Sequence, residues 1–236
     1  ARQHSTKQAN LHQYKDVDPS VFQNAVSECD FVPAVHCPYF PAEAQQWVTR
    51  ERRVDSPSRA VIKKVVKYGC DFVGVAHKFS PNKTKRNEWR FSFSMAELII
   101  ILSWSRTQRI MYRTLRVLFK FTLDSGKRES HLCTYYFKTL MLWACEQKPA
   151  EFWKEESLLG AARDLLSEMK QHLQRASLPN YFIPANNIRD HLDKNSGNIT
   201  DGVCSLSLLI DSAHLISDVI GECSNEESAC ESKYLV

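Results

Sequence analysis

The alternation of apolar and polar residues in the middle of the chain predicts a strand that runs directly into a helix. Residues 87–97 set three aromatic side chains against three polar ones, with Trp89, Phe91 and Phe93 on one side and Arg90, Ser92 and Ser94 on the other. A period of two is typical of a half-buried β-strand with its aromatic face in the core. Ser94 and Glu97 then have the spacing of a capping box, which predicts a helix start at Ser94.

The polar face of this strand suits an anion. Arginine donates two parallel hydrogen bonds to phosphate or carboxylate, and a helix N-terminus adds positive potential and free N–H groups. The same residues also fit an ordinary surface of one arginine and two solvated serines. Composition alone favours the ordinary surface, because short motifs often mislead.

Before this strand, the pattern predicts two strands and two helices. They are a strand over residues 26–37, a helix over 42–53 that carries Trp47, a helix over 58–69 and a strand over 70–76. Pro33 places the first strand at an edge or a bulge, since proline cannot donate to a sheet. Gly69 is a candidate C-cap for the second helix.

After Ser94 the pattern is helical. It predicts helices through residue 123, over 132–147, over 157–176 and over 203–220, with a loop over 179–187. The end of the chain, from Gly221, is acidic and is predicted to be disordered.

The first long helix has two faces of different chemistry. Its apolar positions are Trp104, Met111, Leu115 and Leu118, and its basic positions are Arg106, Arg109, Arg113, Arg116 and Lys120. A continuous basic stripe can follow the phosphates of a nucleic acid, but a solvated face is the commoner role of such charge runs. Both interpretations stay open.

Charge is distributed unevenly along the 236 residues. The formal net charge is only +4, yet residues 50–90 carry twelve Lys or Arg against four Asp or Glu, and residues 211–236 carry one Lys against six acids. A basic middle suggests a polyanionic partner such as double-stranded nucleic acid.

Several classes of protein are disfavoured. No Walker loop or G-x-G-x-x-G occurs, and the longest aliphatic run, residues 98–102, is too short to cross a bilayer, so we expect no membrane partner. The eight cysteines lack C-x-x-C spacing, which predicts free thiols in the reducing cytoplasm, or also in the nucleus.

Candidate metal ligands are few. Glu28 and Asp30 lie two apart on one face of the first strand, so both reach one metal ion, or Glu28 is solvated and Asp30 holds an arginine. His214, Cys223 and Cys230 meet only if the tail folds back, so no zinc is expected.

Two adjacent tyrosines begin the helix over residues 132–147. One of Tyr135 and Tyr136 can face the core while the other stacks on a base, although core packing of both is as good an interpretation.

Four stretches together resemble a known family. They are E-C-D-F-V-P-A-V-H-C-P-Y-F-P…W (28–47), E-W-R-F-S-F-S-M-A-E (88–97), Y-Y-F-K-T-L-M-L-W-A-C-E…P…W (135–153) and L-P-N-Y-F-I-P-A-N-N-I (178–188). In order and spacing they resemble the Mab-21-like family, which includes cyclic GMP-AMP synthase and its related receptors. The resemblance covers roughly residues 26–190, and W-R-x-S-F-S with P-N-Y-F-I-P in one chain is fairly specific to it.

The resemblance implies a set of site residues. In the family, a nucleotidyltransferase core with three metal-binding acids precedes a helical lobe. Asp30 matches the third acid, a ligand of Mg²⁺ or Mn²⁺. By the same resemblance, the residues that contact ATP, GTP or another nucleotide are Arg90, Ser92, Ser94, Arg116, Thr134, Tyr135 and Lys138. Tyr135 matches the tyrosine that stacks on a base.

The chain also departs from the family pattern. It has no Gly-Ser loop and no earlier strand with paired acids, and residues 97–109 offer no ligands for a zinc thumb. These departures predict a C-terminal portion that is inactive by itself, from a parent that makes cyclic dinucleotides when it senses nucleic acid. The alternative is a non-catalytic developmental or interaction protein that binds nucleotide or nucleic acid.

The predicted fold class is α+β, with partial nucleotidyltransferase-core strands followed by an all-helical lobe of the helix-hairpin-helix type. The predicted domains are residues 1–93 for the core part, 94–200 for the helical lobe and 201–236 for an extra helix and tail.

Overall fold

The computed structural model of the chain describes residues 33–76, 80–124, 133–189 and 197–233. Contacts divide the chain into the units Ala1–Pro33 and Ala34–Val236, and every element below belongs to the second unit. The predictions for Glu28 and Asp30, and for the strand before Pro33, lie outside the described residues.

Three short strands form one antiparallel sheet in the order β1-β2-β3. The strands are β1 (Ala34–Cys37), β2 (Cys70–Val73) and β3 (Arg90–Ser92). β1 pairs with β2 so that His36 faces Asp71, and β2 pairs with β3 so that Asp71 faces Ser92. This register places polar side chains from all three strands in one row.

Two helices connect β1 to β2. A 3-10 turn over Ala42–Ala44 leads into α1 (Gln45–Thr49). Helix α2 (Arg59–Tyr68) is capped at its N-terminus by Ser58, whose hydroxyl accepts a hydrogen bond from the Val61 N–H. Trp47 lies on α1, as predicted, and is fully buried.

The predicted C-cap at Gly69 is confirmed. Its φ is +86°, and a Cβ atom there would lie 2.2 Å from the carbonyl oxygen of Cys37. Only glycine combines that backbone angle with so close an approach. The residue therefore lets α2 end directly against the end of β1.

The described residues after β3 are mainly helical. They form α3 (Ser94–Ile101), α4 (Arg106–Asp124), α5 (Thr134–Gln147), α6 (Leu158–Gln174), α7 (Gly197–Asp211) and α8 (Ala213–Lys233). The predicted apolar face of α4 is buried, and so is the apolar face of α6, because the apolar positions repeat at three and four residues. The predicted α+β class is confirmed.

Helix α5 lies deepest in the helical lobe. Nine of its fourteen residues are buried, and they occupy every side of the helix rather than one stripe. Tyr136 faces the core, whereas Tyr135 is only half-buried. Of the two interpretations that the sequence left open, the structure therefore favours different environments for the two tyrosines.

A buried ion-pair network ties α5 to the segment after α1. One Glu146 oxygen accepts from Arg50 Nη2 at 2.7 Å and from the Tyr181 hydroxyl at 2.7 Å, and Arg52 Nε lies 3.4 Å from it. The Arg50 guanidinium also lies 4.3 Å from the Trp143 ring centre and 4.6 Å from that of Tyr181. The Glu146 side chain is only 4% exposed, so its charge depends on these partners.

The structure corrects three details around the central strand. Trp89, predicted to be buried, is 55% exposed because β3 begins one residue later, at Arg90. The prediction of a capping box is wrong. Phe93 is the N-cap residue and contributes no side-chain cap, and Glu97 pairs with Lys138. The long helix begins at Arg106, after a turn that follows α3.

The predicted disorder from Gly221 is also wrong in the described residues. Helix α8 continues to Lys233 and packs along α4. Cys223 and Glu227 are 2% and 3% exposed. Glu227 binds Arg109 at 2.5 Å and Arg113 at 2.7 Å, so the acidic end of the chain has basic partners that a local pattern does not reveal.

We predict that Glu227→Gln destabilises the chain by about 1–3 kcal/mol. The substitution keeps the shape but leaves two arginines without their buried counter-charge, and the value is reduced because those arginines are about one-third exposed. Urea unfolding measures the change. Glu226→Gln is the matched control, since Glu226 is exposed on the same helix, and its effect should stay within about 0.5 kcal/mol. Equal effects of both variants would contradict the role of Glu227.

Candidate functional site

One face of the sheet carries the polar residues of all three strands. The register sets His36, Asp71 and Ser92 in one row and Arg90 opposite Val73 in the next. The opposite face carries Phe91, which packs toward the core. Arg90 is exposed and makes no ion pair within the described residues, and the Ser92 hydroxyl donates to that of Ser94 at 3.3 Å. The structure therefore brings together the predicted arginine and serines.

Asp71 is the buried centre of this polar row. Its Oδ1 atom lies 2.9 Å from Nδ1 of His36, and the Tyr68 hydroxyl donates to both carboxylate oxygens, at 3.0 and 3.2 Å. The rings of His36 and Tyr68 pack with their centres 4.7 Å apart. Burial, followed by the hydrogen bond to Asp71, raises the pKa of Tyr68, which keeps its hydroxyl a donor.

A second group of candidate residues lies where α3 meets α5. Lys138 Nζ lies 2.5 Å from Glu97 Oε2, and the same ammonium lies 5.1 Å from the ring centre of Tyr135. The Asn180 amide donates to the Tyr135 hydroxyl at 3.4 Å. Ser94 is one helical turn before Glu97 on α3, so the strand–helix junction continues into this group.

The environment of Tyr135 keeps its phenol neutral. Burial, followed by the nearby charge of Glu97, raises the pKa of Tyr135 well above its usual value. The side chain is nevertheless only half-buried. A neutral, partly accessible aromatic ring fixed by polar neighbours is suited to stacking on a base.

Two other predicted contacts are exposed side chains. Thr134 is the first residue of α5, and Arg116 is on α4 with its guanidinium 5.7 Å from the ring centre of Tyr112. Their roles in nucleotide binding stay predictions.

The basic stripe of α4 is largely engaged by acids of the same chain. Arg106 binds Glu155 at 2.6 Å, and Glu227 binds both Arg109 and Arg113. The side chain of Lys120 lies outside the described part. The expected continuous basic surface is therefore interrupted, because acids from α8 and from the turn before α6 neutralise it.

Helix α2 has an exposed basic face instead. Its four basic side chains are exposed and make no ion pair within the described residues; they are Arg59, Lys63, Lys64 and Lys67. Three of them repeat every four residues, so they lie on one side of the helix. The apolar side of α2, with Val65 fully buried, packs toward α3.

The fit to a metal ion rests on Asp30, which lies outside the described residues. Within those residues, no group of three or more His, Cys, Asp or Glu side chains could hold a metal ion.

Sequence reasoning missed Asp71 and the role of His36. The signal for His36 was present, since it shares a strand face with Asp30 in the alternation. Asp71 stands between Cys70 and Phe72 in a buried strand. A single carboxylate inside an apolar run is a signal of a polar partner, and only the register identifies that partner as His36.

Comparison with known families assigns both halves of the chain. Residues 8–103 match the Mab-21 protein nucleotidyltransferase domain, and residues 107–200 match the Mab-21 protein HhH/H2TH-like domain. The half that contains the strands therefore belongs to the nucleotidyltransferase class, and the helical half belongs to the HhH/H2TH-like class. The chain belongs to the Mab-21 family. The domain limits predicted from the sequence stay a prediction.

No single helix within the described residues is long and apolar enough to cross a membrane. The segments Gly202–Asp211 and Ala213–Ser228 meet the length and composition only as a pair, with a bend of 83° between them.

Proposed function

We propose that this chain binds a nucleoside triphosphate between the polar sheet face and the N-terminal half of α5. The observation that supports the proposal is the position of Arg90 and Ser92 on one sheet face, on a strand that leads through Ser94 into α3. Glu97 of α3 then holds Lys138 beside Tyr135.

In this proposal each side chain has a separate task. Arg90 donates to phosphate oxygens, since a guanidinium binds phosphate with two parallel hydrogen bonds. Ser92 and Ser94 donate to phosphate or sugar oxygens, and the ring of Tyr135 stacks on the base. Glu97 and Asn180 contact Lys138 and Tyr135 respectively and limit their motion.

The finer proposal concerns the parent protein. By family resemblance it is a nucleotidyltransferase that makes cyclic dinucleotides in response to nucleic acid, as in innate immune sensing, in the cytoplasm or nucleus. There Asp30 contributes to a Mg²⁺ or Mn²⁺ site. The competing proposal is a non-catalytic Mab-21 protein that retains the nucleotide pocket for interaction or development.

We predict that Arg90→Gln and Tyr135→Ala each weaken GTP or ATP binding by about tenfold, since each removes an interaction of about 1–3 kcal/mol. Isothermal titration calorimetry of the full chain measures the affinity. Tyr135→Phe is the matched control, because it keeps the stacking ring. Arg175→Gln removes an exposed charge on another element and should leave binding unchanged. Loss of affinity in Arg175→Gln equal to that in Arg90→Gln would contradict the site.

The chain by itself should make no cyclic dinucleotide. Of the three metal-binding acids of the family, the resemblance assigns only Asp30 in this chain, and one acid cannot organise the two metal ions that phosphoryl transfer of this class uses. Incubation with ATP, GTP, Mg²⁺ and double-stranded nucleic acid, followed by mass spectrometry, should detect no product. A cyclic dinucleotide that disappears in Asp30→Asn would show that the chain is catalytic after all.

A second candidate function, nucleic-acid binding, is favoured by the unpaired face of α2. The basic side chains of this face make no ion pair within the described residues, whereas Arg109 and Arg113 on α4 share Glu227. A polyanion is attracted by unneutralised charge, so we propose the α2 face, rather than the α4 stripe, as the surface that meets a duplex.

We predict that Lys63→Gln with Lys67→Gln lowers the salt dependence of duplex binding. Each lost phosphate contact should reduce the slope of log affinity against log salt by about 0.9. Fluorescence anisotropy between about 50 and 200 mM salt measures the slope. Lys154→Gln with Arg175→Gln removes the same charge from other elements and should change the slope less. If the salt slope falls with Arg113→Gln but not with the α2 double variant, the duplex binds α4 rather than α2.

A further inference from the structure

We propose that His36 is a further phosphate-contacting residue of the nucleotide site, positioned by Asp71 and Tyr68, and that it makes nucleotide affinity increase as pH falls. This inference rests on the proposed nucleotide binding and adds a residue and a form of regulation to the same site.

The first argument is the position of His36 on the sheet. It occupies the same face and the same row as Ser92, separated by the one strand that carries Asp71. Strands lie about 4.8 Å apart, so β1 and β3 are roughly 10 Å apart. A long arginine side chain on β3 and an imidazole on β1 can therefore converge on one polyphosphate. The His36 side chain is 49% exposed, which leaves it accessible to a ligand.

The second argument is the orientation of the ring. Nδ1 lies 2.9 Å from the Asp71 carboxylate, so Nδ1 carries the proton in the neutral form. Nε2 then has a lone pair in the neutral ring and an N–H in the protonated ring. A lone pair repels a phosphate oxygen, whereas an N–H with positive charge donates a charge-assisted hydrogen bond. The same ring therefore disfavours phosphate when neutral and binds it when protonated.

The third argument is that Asp71 and Tyr68 hold the ring. The Asp71 side chain is only 12% exposed, and both of its oxygens accept from the Tyr68 hydroxyl. These contacts restrict the rotation of the Asp71 carboxylate. The Tyr68 ring packs against His36. Within the described residues, the titratable groups in contact with His36 are Asp71 from β2 and Tyr68 from α2, and Arg90 of β3 is on the same face. Asp71 and Tyr68 therefore hold the His36 ring in one orientation.

Histidine changes charge between about pH 5 and 8, which sets the range of the test. ATP affinity is measured by calorimetry at pH 6 and pH 8, at constant ionic strength, for the wild-type chain, His36→Gln and Arg90→Gln. ATP itself gains a proton near pH 6, so the quantity of interest is the ratio of wild-type to His36→Gln affinity. That ratio should be about fivefold to tenfold at pH 6 and close to one at pH 8.

The remaining variants separate positioning from general destabilisation. Asp71→Asn keeps a hydrogen-bond acceptor for Nδ1 but removes the charge beside the ring, so the gain in ATP affinity at pH 6 that depends on His36 should shrink. Arg90→Gln should weaken binding at both pH values and keep the pH dependence. Thermal unfolding of each variant checks that the fold is retained.

Two outcomes overturn the inference in distinguishable ways. If Arg90→Gln weakens ATP binding while His36→Gln matches the wild type at both pH values, the nucleotide site stands and His36 is not part of it. If the wild-type chain binds no ATP at either pH value, the proposed function fails together with this inference.

Discussion

The buried carboxylate of Glu146 is the constraint on which the arrangement of this protein depends. An acid that is 4% exposed is tolerable only with partners, and its partners come from far along the chain: Arg50 is 96 residues before it, and Tyr181 is 35 residues after it. The network therefore fixes the segment after α1 and the loop after α6 together against α5. Lys138 and Tyr135 are on that same helix, so the anchoring of α5 also positions half of the candidate site.

The loop that follows α6 shows how a recognisable motif can have a structural role. Asn180 accepts hydrogen bonds from the N–H groups of Phe182 and Ile183, and Asn187 accepts from Leu178 while its amide donates to the Ala176 carbonyl. These side chains replace the hydrogen bonds that a regular element would provide. The P-N-Y-F-I-P stretch that resembles the family thus holds the loop in place, and Asn180 also reaches Tyr135 in the candidate site.

Sequence reasoning succeeded where the controlling interactions are local. The ends of α2 follow from Ser58 and Gly69, and the buried face of α4 follows from its period. It failed where a distant residue decided the outcome. Glu97 was assigned to a capping box, but Lys138, 41 positions later, takes its carboxylate. The acidic end was assigned to disorder, although α4 offers it arginines.

The amino-acid sequence by itself determined that short strands precede a helical half, the polar face of Arg90 and Ser92 and the family, because periodicity, caps and motifs are properties of neighbouring residues. The tertiary structure alone decided which charges are available to a ligand. Arg109 and Lys63 are equivalent in the sequence, yet Arg109 binds a glutamate 118 residues away and Lys63 remains exposed. Only folding brings such partners together, since the Coulomb interaction depends on distance in space and not along the chain.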